Sequence, residues 1–392
     1  MAGTAKLPKE FYLLTATSIT LFLASETAQP ILPLYITEKG ATTLQLGIII
    51  SLLSFTTIGA KIPLGILAEK MGRWPIIPAV TIGQTTSLLL YSLAPDPTWF
   101  YPIRIFHALT LAAFAPTALA IAQDLAPPNK RATTLGTYLT SMGVAGTIGP
   151  FLCTFLVNYV NYTQVFQIAA IIPLIGLVPF LLIRPKSAHT PNPKETNLSL
   201  FTSLKTVSSS RNMLILTYLR LTFSFTYAFF VTLFAIYAEN TLVLLPALIA
   251  LLFGIRGLTN MLSRIPSGKL ADKIGYRIPI ITAFTLLTLA FLTISQTDNI
   301  YFLILAMIIY GAAHGIRAVA EWSMLGDYAP SEAGAVATAY LSTMFSVGAA
   351  LGAVVAGALT LILDTQTIFT LAAIITLTGA LAINLTKPQN RN

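Results

Sequence analysis

Charge is scarce in this chain. Only 9% of its 392 residues are charged, whereas 55% are hydrophobic. A soluble domain carries about 25% charged residues, so this chain lacks the polar surface that a water-facing domain needs. Its hydrophobic residues form runs long enough to cross a bilayer, which takes about 20 residues of α-helix. The composition therefore predicts a helical protein that crosses a membrane many times.

Cysteine is almost absent as well. The single thiol, Cys153, excludes an intramolecular disulfide and a cysteine-based metal cluster. The sequence also lacks the patterns G-x-S-x-G, H-E-x-x-H and G-x-x-x-x-G-K-[ST], which hydrolases, zinc proteases and P-loop ATPases carry. We therefore expect no enzyme activity, no metal site and no cofactor.

Twelve apolar runs are predicted to be transmembrane helices. The first is too long for a cleaved signal peptide and contains Glu26, so we expect it to be retained. The runs comprise residues 11–36, 43–64, 75–94, 98–123, 133–158, 163–183, 213–238, 242–266, 278–296, 299–325, 334–361 and 366–385.

The positive charge of the chain is distributed unevenly. If the N-terminus is cytoplasmic, 18 of the 23 lysine and arginine residues face the inner side and only Lys39 faces the outer side. The other four lie within spans, at Arg104, Arg220, Arg256 and Arg317. This distribution follows the positive-inside rule and predicts a cell-membrane protein with both termini in the cytoplasm. The net charge of +9 therefore implies no nucleic-acid partner.

One charged peptide occurs twice. GILAEKMGR at 65–73 returns as GKLADKIGY at 268–276, which is 203 positions later. KIP at 61–63 and RIP at 264–266 match at the same offset, as do DLAP at 124–127 and DYAP at 327–330. Three matches at one offset indicate an internal duplication, an arrangement in which substrate binds where the two halves meet.

A polar segment separates the two copies. Residues 185–212 are rich in Pro, Ser, Thr and Lys, and six apolar runs lie on either side of them. Such a composition is typical of a tether between hydrophobic blocks. We therefore predict an N-terminal six-helix bundle at 1–184, a cytoplasmic linker at 185–212 and a C-terminal six-helix bundle at 213–392.

The repeated peptide resembles the signature G-x-L-a-D-r-x-G-r-k of the major facilitator superfamily. The resemblance covers the whole chain, because the twelve spans, the linker and DLAPPNKRA after the fourth span also match. It implies an all-α membrane protein with twelve transmembrane helices in two six-helix bundles related by a pseudo-twofold axis. It also implies a transporter whose partners are a small-molecule substrate, protons and the lipid bilayer. The short outer loops are consistent with a monomer.

In this family the repeated loops form a latch that closes when the cavity faces outward. Gly65 and Gly268 fit this role because they lack side chains where helices must approach closely, and Gly72 and Gly275 suit a tight turn. The resemblance assigns the latch to Gly65, Glu69, Gly72, Arg73, Gly268, Asp272, Gly275 and Arg277. The alternative is that these loops are polar turns that merely obey the positive-inside rule.

The sequence departs from the family pattern at several positions. Glu69 replaces the usual aspartate, and Tyr276 replaces the first basic residue of the second copy, which predicts a weaker second latch. The peptide GVAGTIGP at 143–150 resembles the antiporter motif G-x-x-x-G-P, although the glycine spacing is three rather than four. Glycine at such spacing also lets helices pack closely without any role in transport.

Two charges in the first half suggest proton coupling. Glu26 in the first span and Arg104 in the fourth differ in predicted depth by only about 6 Å. A guanidinium group near a buried carboxyl favours its charged form, whereas burial opposes it, and substrate can shift that balance. We therefore expect Glu26 and Arg104 to couple protons, with Gln29 and His107 one helical turn away as substrate contacts. A permanent structural ion pair is the alternative.

The tenth span carries a polar stripe. Tyr310, His314, Arg317 and Glu321 are spaced by 4, 3 and 4 residues, which places them on one helical face. The group resembles the proton-coupling cluster of sugar:proton symporters, although the order of residue types differs. We expect His314 and Glu321 to couple protons, and Tyr310 and Arg317 to bind substrate. Arg256 in the eighth span is a candidate substrate contact and a candidate partner for Glu321.

The seventh span is aromatic and contains Arg220, which is expected to extend to the membrane interface. Tyr227 is its candidate substrate contact, because aromatic surface suits drug-like ligands; lipid-facing rings are the alternative. Three functions compete on these residues. They are proton-coupled export of amphipathic compounds, transport of an organic anion or sugar that the arginine excess would favour, and a membrane-embedded enzyme or sensor.

Overall fold

The computed structural model describes residues 7–127, 131–181, 210–328 and 334–386. Within these residues every regular element is a helix. The α-helices are α1 (Lys9–Ala28), α2 (Leu32–Glu38), α3 (Thr43–Met71), α4 (Arg73–Leu93), α5 (Phe100–Asp124), α6 (Arg131–Leu156), α7 (Tyr162–Leu181), α8 (Arg211–Asn240), α9 (Pro246–Ile274), α10 (Arg277–Gln296), α11 (Ile300–Tyr328), α12 (Gly334–Leu359) and α13 (Thr365–Ala382). Short 3-10 helices occupy Pro97–Trp99 and Ile383–Leu385. The predicted linker lies outside the described residues except for its last three positions.

The first predicted span consists of two helices. The helix α1 ends at Ala28, after which the N–H of Gln29 donates to the carbonyl oxygen of Ser25 at 3.0 Å. The next residue, Pro30, has no N–H and cannot continue the hydrogen-bond ladder, and α2 begins at Leu32. The expectation of one continuous helix over 11–36 was therefore wrong, because Pro30 interrupts the helix within this hydrophobic run.

Ten helices in the described part of the chain are long and apolar enough to cross a membrane, namely α3 to α6 and α8 to α13. The apolar stretch of α7 is shorter, at Tyr162–Val178. The all-helical, multi-pass fold is thus confirmed. The count of twelve transmembrane helices is not, since the described residues form thirteen α-helices, of which ten meet this description.

The duplication is visible in the helix boundaries. Shifting α3 by the 203 positions of the sequence repeat gives 246–274, the bounds of α9, and shifting α6 gives 334–359, the bounds of α12. The helices α4, α5 and α7 correspond to α10, α11 and α13 to within three residues, whereas α1 and α2 together correspond to the single helix α8. Matching element bounds over two halves show that the repeat extends from the short peptides to the whole helical pattern.

The chain forms two compact units. Unit 1 comprises 1–41, 55–192 and 245–254, and unit 2 comprises 42–54, 193–244 and 255–392. In unit 1, α1 packs on α6 and α7, and α4 packs on α5 and α7. In unit 2 the equivalent helices pair in the same way, α8 with α12 and α13, and α10 with α11 and α13. The division at residues 184 and 213 stays a prediction.

Close helix packing in unit 2 depends on glycine. A Cβ atom at Gly311 of α11 would lie 1.9 Å from the Thr259 hydroxyl and 2.2 Å from the Arg256 carbonyl oxygen, both on α9. At Gly348 of α12 it would lie 2.0 Å from the Ser224 hydroxyl of α8. Absent side chains therefore bring α8, α9, α11 and α12 close together, as is common in membrane bundles.

Replacing Gly311 with alanine should therefore force α9 and α11 apart. We expect a loss of about 1–3 kcal/mol of stability, which is the usual cost of overpacking. The matched control is Gly326→Ala on the same helix, where no described residue lies within 4 Å of the added methyl group. Thermal melts of the purified protein should show a lower midpoint for Gly311→Ala only. Equal midpoints for both variants would contradict the close approach.

Candidate functional site

A buried ion cluster joins α8 and α11 in unit 2. Nη1 of Arg220 donates to Oε2 of Glu321 at 2.8 Å, and Nη1 of Arg317 donates to the same oxygen. The relative exposures are 9% for Arg220, 2% for Arg317 and 1% for Glu321. The expectation that Arg220 extends to the membrane interface was therefore wrong, because Glu321 holds its guanidinium group inside the bundle.

The guanidinium group of Arg256 lies among aromatic rings. Its Cζ is 5.3 Å from the ring centre of Phe230, 5.8 Å from that of Tyr227 and 6.0 Å from that of Tyr310. Such distances permit cation–π attraction, which is strongest where water is excluded. Glycine at 311 permits this arrangement, because it lets α11 approach the backbone of α9 at Arg256 itself.

Four rings form an aromatic patch beside the ion cluster. Phe223, Tyr227, His314 and Phe345 contact one another at centroid distances of 4.8–6.3 Å. Phe223 is buried, whereas the other three are half-buried. The polar stripe predicted on the tenth span, which is α11, thus contacts the aromatic seventh span, which is α8. The contribution of Phe345 was missed, since nothing in the sequence of α12 indicates that it faces this patch.

In unit 1, α6 approaches the residue predicted to couple protons. A Cβ atom at Gly149 would lie 2.6 Å from the Cβ of Glu26 and 2.9 Å from the backbone nitrogen of Thr27. The last glycine of the antiporter-like peptide therefore packs directly on α1 at Glu26, which is half-buried. A Cβ at Gly146 would meet nothing within 4 Å in the part of the chain that the structure describes, so the approach to α1 is made by Gly149 and not by Gly146.

Arg104 takes part in a buried polar group on α4 and α5. Its Nη1 donates to the hydroxyl of Tyr91 at 3.5 Å, and that hydroxyl lies 3.3 Å from Nδ1 of His107. Nε of Arg104 and Nε2 of His107 are buried and have no hydrogen-bond partner among the described residues. Tyr91 was not predicted from the sequence, because an aromatic residue within an apolar span is typical of an ordinary core position. The coupling of Arg104 to Glu26 stays a prediction.

A second polar connection links α1, α4 and α5. Nε2 of Gln84 donates to the hydroxyl of Ser25 at 2.7 Å, and the hydroxyl of Thr110 donates to Oε1 of Gln84 at 3.5 Å. Gln84 is fully buried, so it fixes α1 against α4 one residue before Glu26. An amide inside an apolar span was a signal that could have identified Gln84 from the sequence.

The first latch contains an ion pair. Nη1 of Arg73 lies 2.6 Å from Oδ2 of Asp124, and Gly72 adopts φ +85°, which is the turn expected there. The expected close approach at Gly65 was wrong, because a Cβ there would meet none of the described residues within 4 Å, and Gly65 lines an opening of about 260 Å³ beside Pro116. The side chain of Glu69 lies outside what the structure describes.

The second latch has different chemistry. Tyr276 occupies the position equivalent to Arg73. The hydroxyl oxygen of Tyr276 lies 2.5 Å from the hydroxyl oxygen of Tyr328, so the two groups share a hydrogen bond. Burial raises the pKa of Tyr276 above its ordinary value, and the hydrogen bond with Tyr328 raises it further. Arg277 instead donates to Oδ1 of Asn384 at 3.0 Å. The two copies of the peptide thus carry a charged contact in one unit and a neutral contact in the other.

The second copy otherwise keeps the expected turn. Gly275 has φ +80°, whereas a Cβ at Gly268 would make only ordinary contact with Val319, at 3.8 Å. The close approach expected at Gly268 was therefore wrong as well. Asp272 is exposed.

One pattern of apolar helices occurs twice in the chain, and charged residues are buried inside its spans. These two features are typical of a multi-pass membrane protein of the transporter class. The chain belongs to the Major Facilitator Superfamily, whose sequence model matches residues 14–245 and 221–392. Members of this family are transporters rather than enzymes.

The chain is similar to several known proteins. It is 25% identical to the uncharacterized MFS-type transporter MJ1560 of Methanocaldococcus jannaschii, over 94% of this chain and 96% of the relative. It is 27% identical to the multi-drug resistance efflux pump PmrA of Streptococcus pneumoniae, over 69% and 68% of the two chains. The crystal structure of the nucleoside transporter NupG matches with a TM-score of 0.77 at 15% identity, over 97% of this chain and all of the other. That likeness concerns the fold alone.

Proposed function

We propose that this protein is a proton-coupled secondary transporter that exports amphipathic small molecules by alternating access. It acts in the cell membrane, with both termini in the cytoplasm. The observation that carries the proposal is the contact of Gly149 with Glu26, which joins the antiporter-like peptide of α6 to a carboxyl group inside a bundle of apolar helices. Similarity to a relative named as a multi-drug efflux pump supports the direction of transport.

Glu26 suits the proton carrier better than Glu321 does. Glu321 is held by two guanidinium groups, and protonating it would break two buried ion pairs. Glu26 is half-buried against a glycine, and a carboxyl group in such surroundings can take up and release a proton as its exposure to water changes. Arg104 and His107 are the proposed neighbours of this proton transfer, because each carries a buried nitrogen atom that has no hydrogen-bond partner in the described part of the chain.

The test is a transport assay in proteoliposomes with a pH-sensitive dye in the lumen. Amphipathic compounds and hydrophilic sugars are added in turn to vesicles with and without protein. We expect proton movement on adding an amphipathic compound, and only in vesicles that contain protein. Proton movement with sugars alone would overturn the substrate class. No proton movement with any compound, while labelled compound still crosses, would overturn proton coupling.

The two latches should respond differently to salt. The Arg73–Asp124 pair is partly exposed, so it contributes about 0–1 kcal/mol and is screened by ions. The Tyr276–Tyr328 contact carries no net charge. Raising the ionic strength from about 0.05 M to about 0.5 M should change turnover of the unaltered protein by up to about fivefold, as expected for 1 kcal/mol.

The variant Arg73→Gln should lose this salt response while its substrate affinity stays unchanged. Tyr276→Phe is the matched control, because it removes the neutral contact at the equivalent position and should keep the response. The measurement is turnover in proteoliposomes at both salt concentrations. An unchanged salt response in Arg73→Gln would show that the ion pair does not act as a latch.

A further inference from the structure

The turns that follow α2 and α8 occupy equivalent places in the duplicated chain. Gly40 has φ +95° and Val243 has φ +54°, and the two residues are 203 positions apart, which is the offset of the sequence repeat. We propose that Val243 holds the connection between α8 and α9, residues 241–245, under backbone strain, and that this connection is a hinge that releases the strain when the transporter changes conformation. This inference rests on the proposed function, because alternating access supplies the conformational change.

The strain at Val243 has a steric cause. At a positive φ angle, the Cβ atom of an L-residue crowds the neighbouring backbone, whereas glycine has no Cβ atom and adopts such angles readily. Valine is a poor choice for this conformation, because it is branched at Cβ and therefore carries two heavy atoms close to the backbone. Among the described residues, Val243 is the only one other than glycine with a positive φ angle. The second copy of the turn is therefore strained where the first is relaxed.

Backbone hydrogen bonds hold the strained turn closed. The N–H of Leu242 donates to the carbonyl oxygen of Tyr237 at 3.2 Å, and the N–H of Leu244 donates to that of Ala238 at 2.9 Å. Both bonds fold the chain back over the end of α8. The side chain of Val243 contributes little packing, since it is 81% exposed. A strained conformation persists only where its surroundings enforce it, so breaking these hydrogen bonds would let the turn open and relieve the strain.

The two connections also differ in how the next helix begins. In the first copy, the N–H of Thr42 donates to Oε1 of Gln45 at 2.9 Å, and the N–H of Gln45 donates to Oγ1 of Thr42 at 3.2 Å. This reciprocal pair is a capping box, which fixes the start of α3. The equivalent residues of the second copy are Leu245 and Leu248, whose side chains carry no hydrogen-bonding groups. The start of α9 therefore lacks the two hydrogen bonds that steady the start of α3.

The strained connection lies where the chain passes from one compact unit to the other. Unit 2 reaches Leu244 and unit 1 continues from Leu245, and the equivalent change of unit in the first copy follows Ala41. Hinges are short segments at the ends of helices that absorb changes in φ and ψ. Pro246 confines such a change to residues 241–245, because it begins α9 and its ring fixes its own φ angle. Of the two equivalent connections, we therefore expect the strained and uncapped one to move.

The experiment measures hydrogen exchange at the backbone amides of Leu244 and Ala41 in the purified, detergent-solubilised protein, by mass spectrometry with residue-level fragmentation. The N–H of Ala41 donates to the carbonyl oxygen of Ile36 at 3.3 Å, so each amide reports the opening of its own turn. Asparagine tolerates a positive φ angle better than valine does. In Val243→Asn the protection factor of Leu244 should therefore rise at least about fivefold, as expected for relief of left-handed strain, while that of Ala41 stays unchanged. Unchanged protection of Leu244 would overturn the proposal.

Two further variants separate strain from the loss of an exposed apolar side chain. Val243→Thr makes the residue polar but keeps the branch at Cβ, so the protection of Leu244 should stay at the level of the unaltered protein. Gly40→Val introduces the strain into the first copy, at a position where a Cβ atom would meet no described residue within 4 Å. It should lower the protection of Ala41 at least about fivefold. Equal protection of Leu244 in Val243→Thr and Val243→Asn would show that polarity and not strain controls the opening.

Transport tests the role of the hinge separately. The probe is ethidium, an amphipathic cation, added to proteoliposomes that contain a pH-sensitive dye. Val243→Asn stabilises the described conformation and not the one that follows it, so the rate of proton movement should fall by up to the factor measured at Leu244, whereas Val243→Thr should keep the rate of the unaltered protein. Stronger protection of Leu244 with an unchanged rate would overturn the hinge. If the unaltered protein moves no protons with ethidium, that result counts against the proposed function, and the protection of Leu244 alone decides whether the connection is strained.

Discussion

Replacing Glu26 with glutamine is expected to abolish gradient-driven transport while the protein stays folded. The substitution keeps the size and shape of the side chain, and its amide can donate and accept hydrogen bonds as a protonated carboxyl group does, but it cannot take up or release a proton. Because Gly149 packs on the backbone and Cβ of Glu26, neither of which changes, α1 and α6 should keep their contact. The measurement is proton movement in proteoliposomes, which should fall to the level of protein-free vesicles.

Two controls accompany this variant. Glu38→Gln removes an exposed carboxyl group at the end of α2 and should leave transport unchanged. Folding of unit 1 can be followed through Cys153, which is fully buried and is the only thiol in the chain, so that a thiol-reactive dye reports its exposure on unfolding. Normal concentrative transport by a folded Glu26→Gln protein would show that another group carries the proton.

The largest loss of stability is expected from Glu321→Ala. This substitution leaves the guanidinium groups of Arg220 and Arg317 buried without their shared carboxylate. Breaking a buried ion pair from one side costs about 3–5 kcal/mol, because an uncompensated charge remains inside. Unfolding by SDS in mixed micelles, followed by far-UV circular dichroism, should detect a loss of this size.

The matched control is Asp298→Asn, which removes an exposed carboxyl group from the same unit and should have little effect. The triple variant Arg220→Met, Arg317→Met and Glu321→Leu should regain much of the lost stability, since apolar residues of similar volume remove the buried charges altogether. A loss below about 1 kcal/mol for Glu321→Ala would place the cluster in a water-accessible setting, where ion pairs contribute little.

Several features of the fold followed from the sequence because they depend on local chemistry. Scarce charge and long apolar runs require helices in a bilayer, where every backbone hydrogen bond must be made within the segment. The fixed offset of 203 positions between repeated peptides anticipated the matching bounds of α3 and α9. The turns at Gly72 and Gly275 were also predictable, since positive φ angles favour glycine.

Other features depended on tertiary structure. Spacing along α11 placed Arg317 and Glu321 on one face, but the choice of Arg220 as the second partner of Glu321 depends on how α8 is rotated against α11. Depth estimates from span boundaries contain no information on that rotation. The same reason explains why Tyr91 and Phe345 were missed, because the contacts of Tyr91 with His107 and of Phe345 with Tyr227 each join two different helices.

The sequence by itself therefore determined the class of fold, its duplication and the residue types available for transport, because periodicity, length and turn chemistry are properties of neighbouring residues. Only the tertiary structure decided which of the charged and aromatic residues meet. A side chain on one helix finds its partners on other helices only when whole helices approach and rotate against each other. In unit 2 the glycines at 311 and 348 set how closely these helices approach.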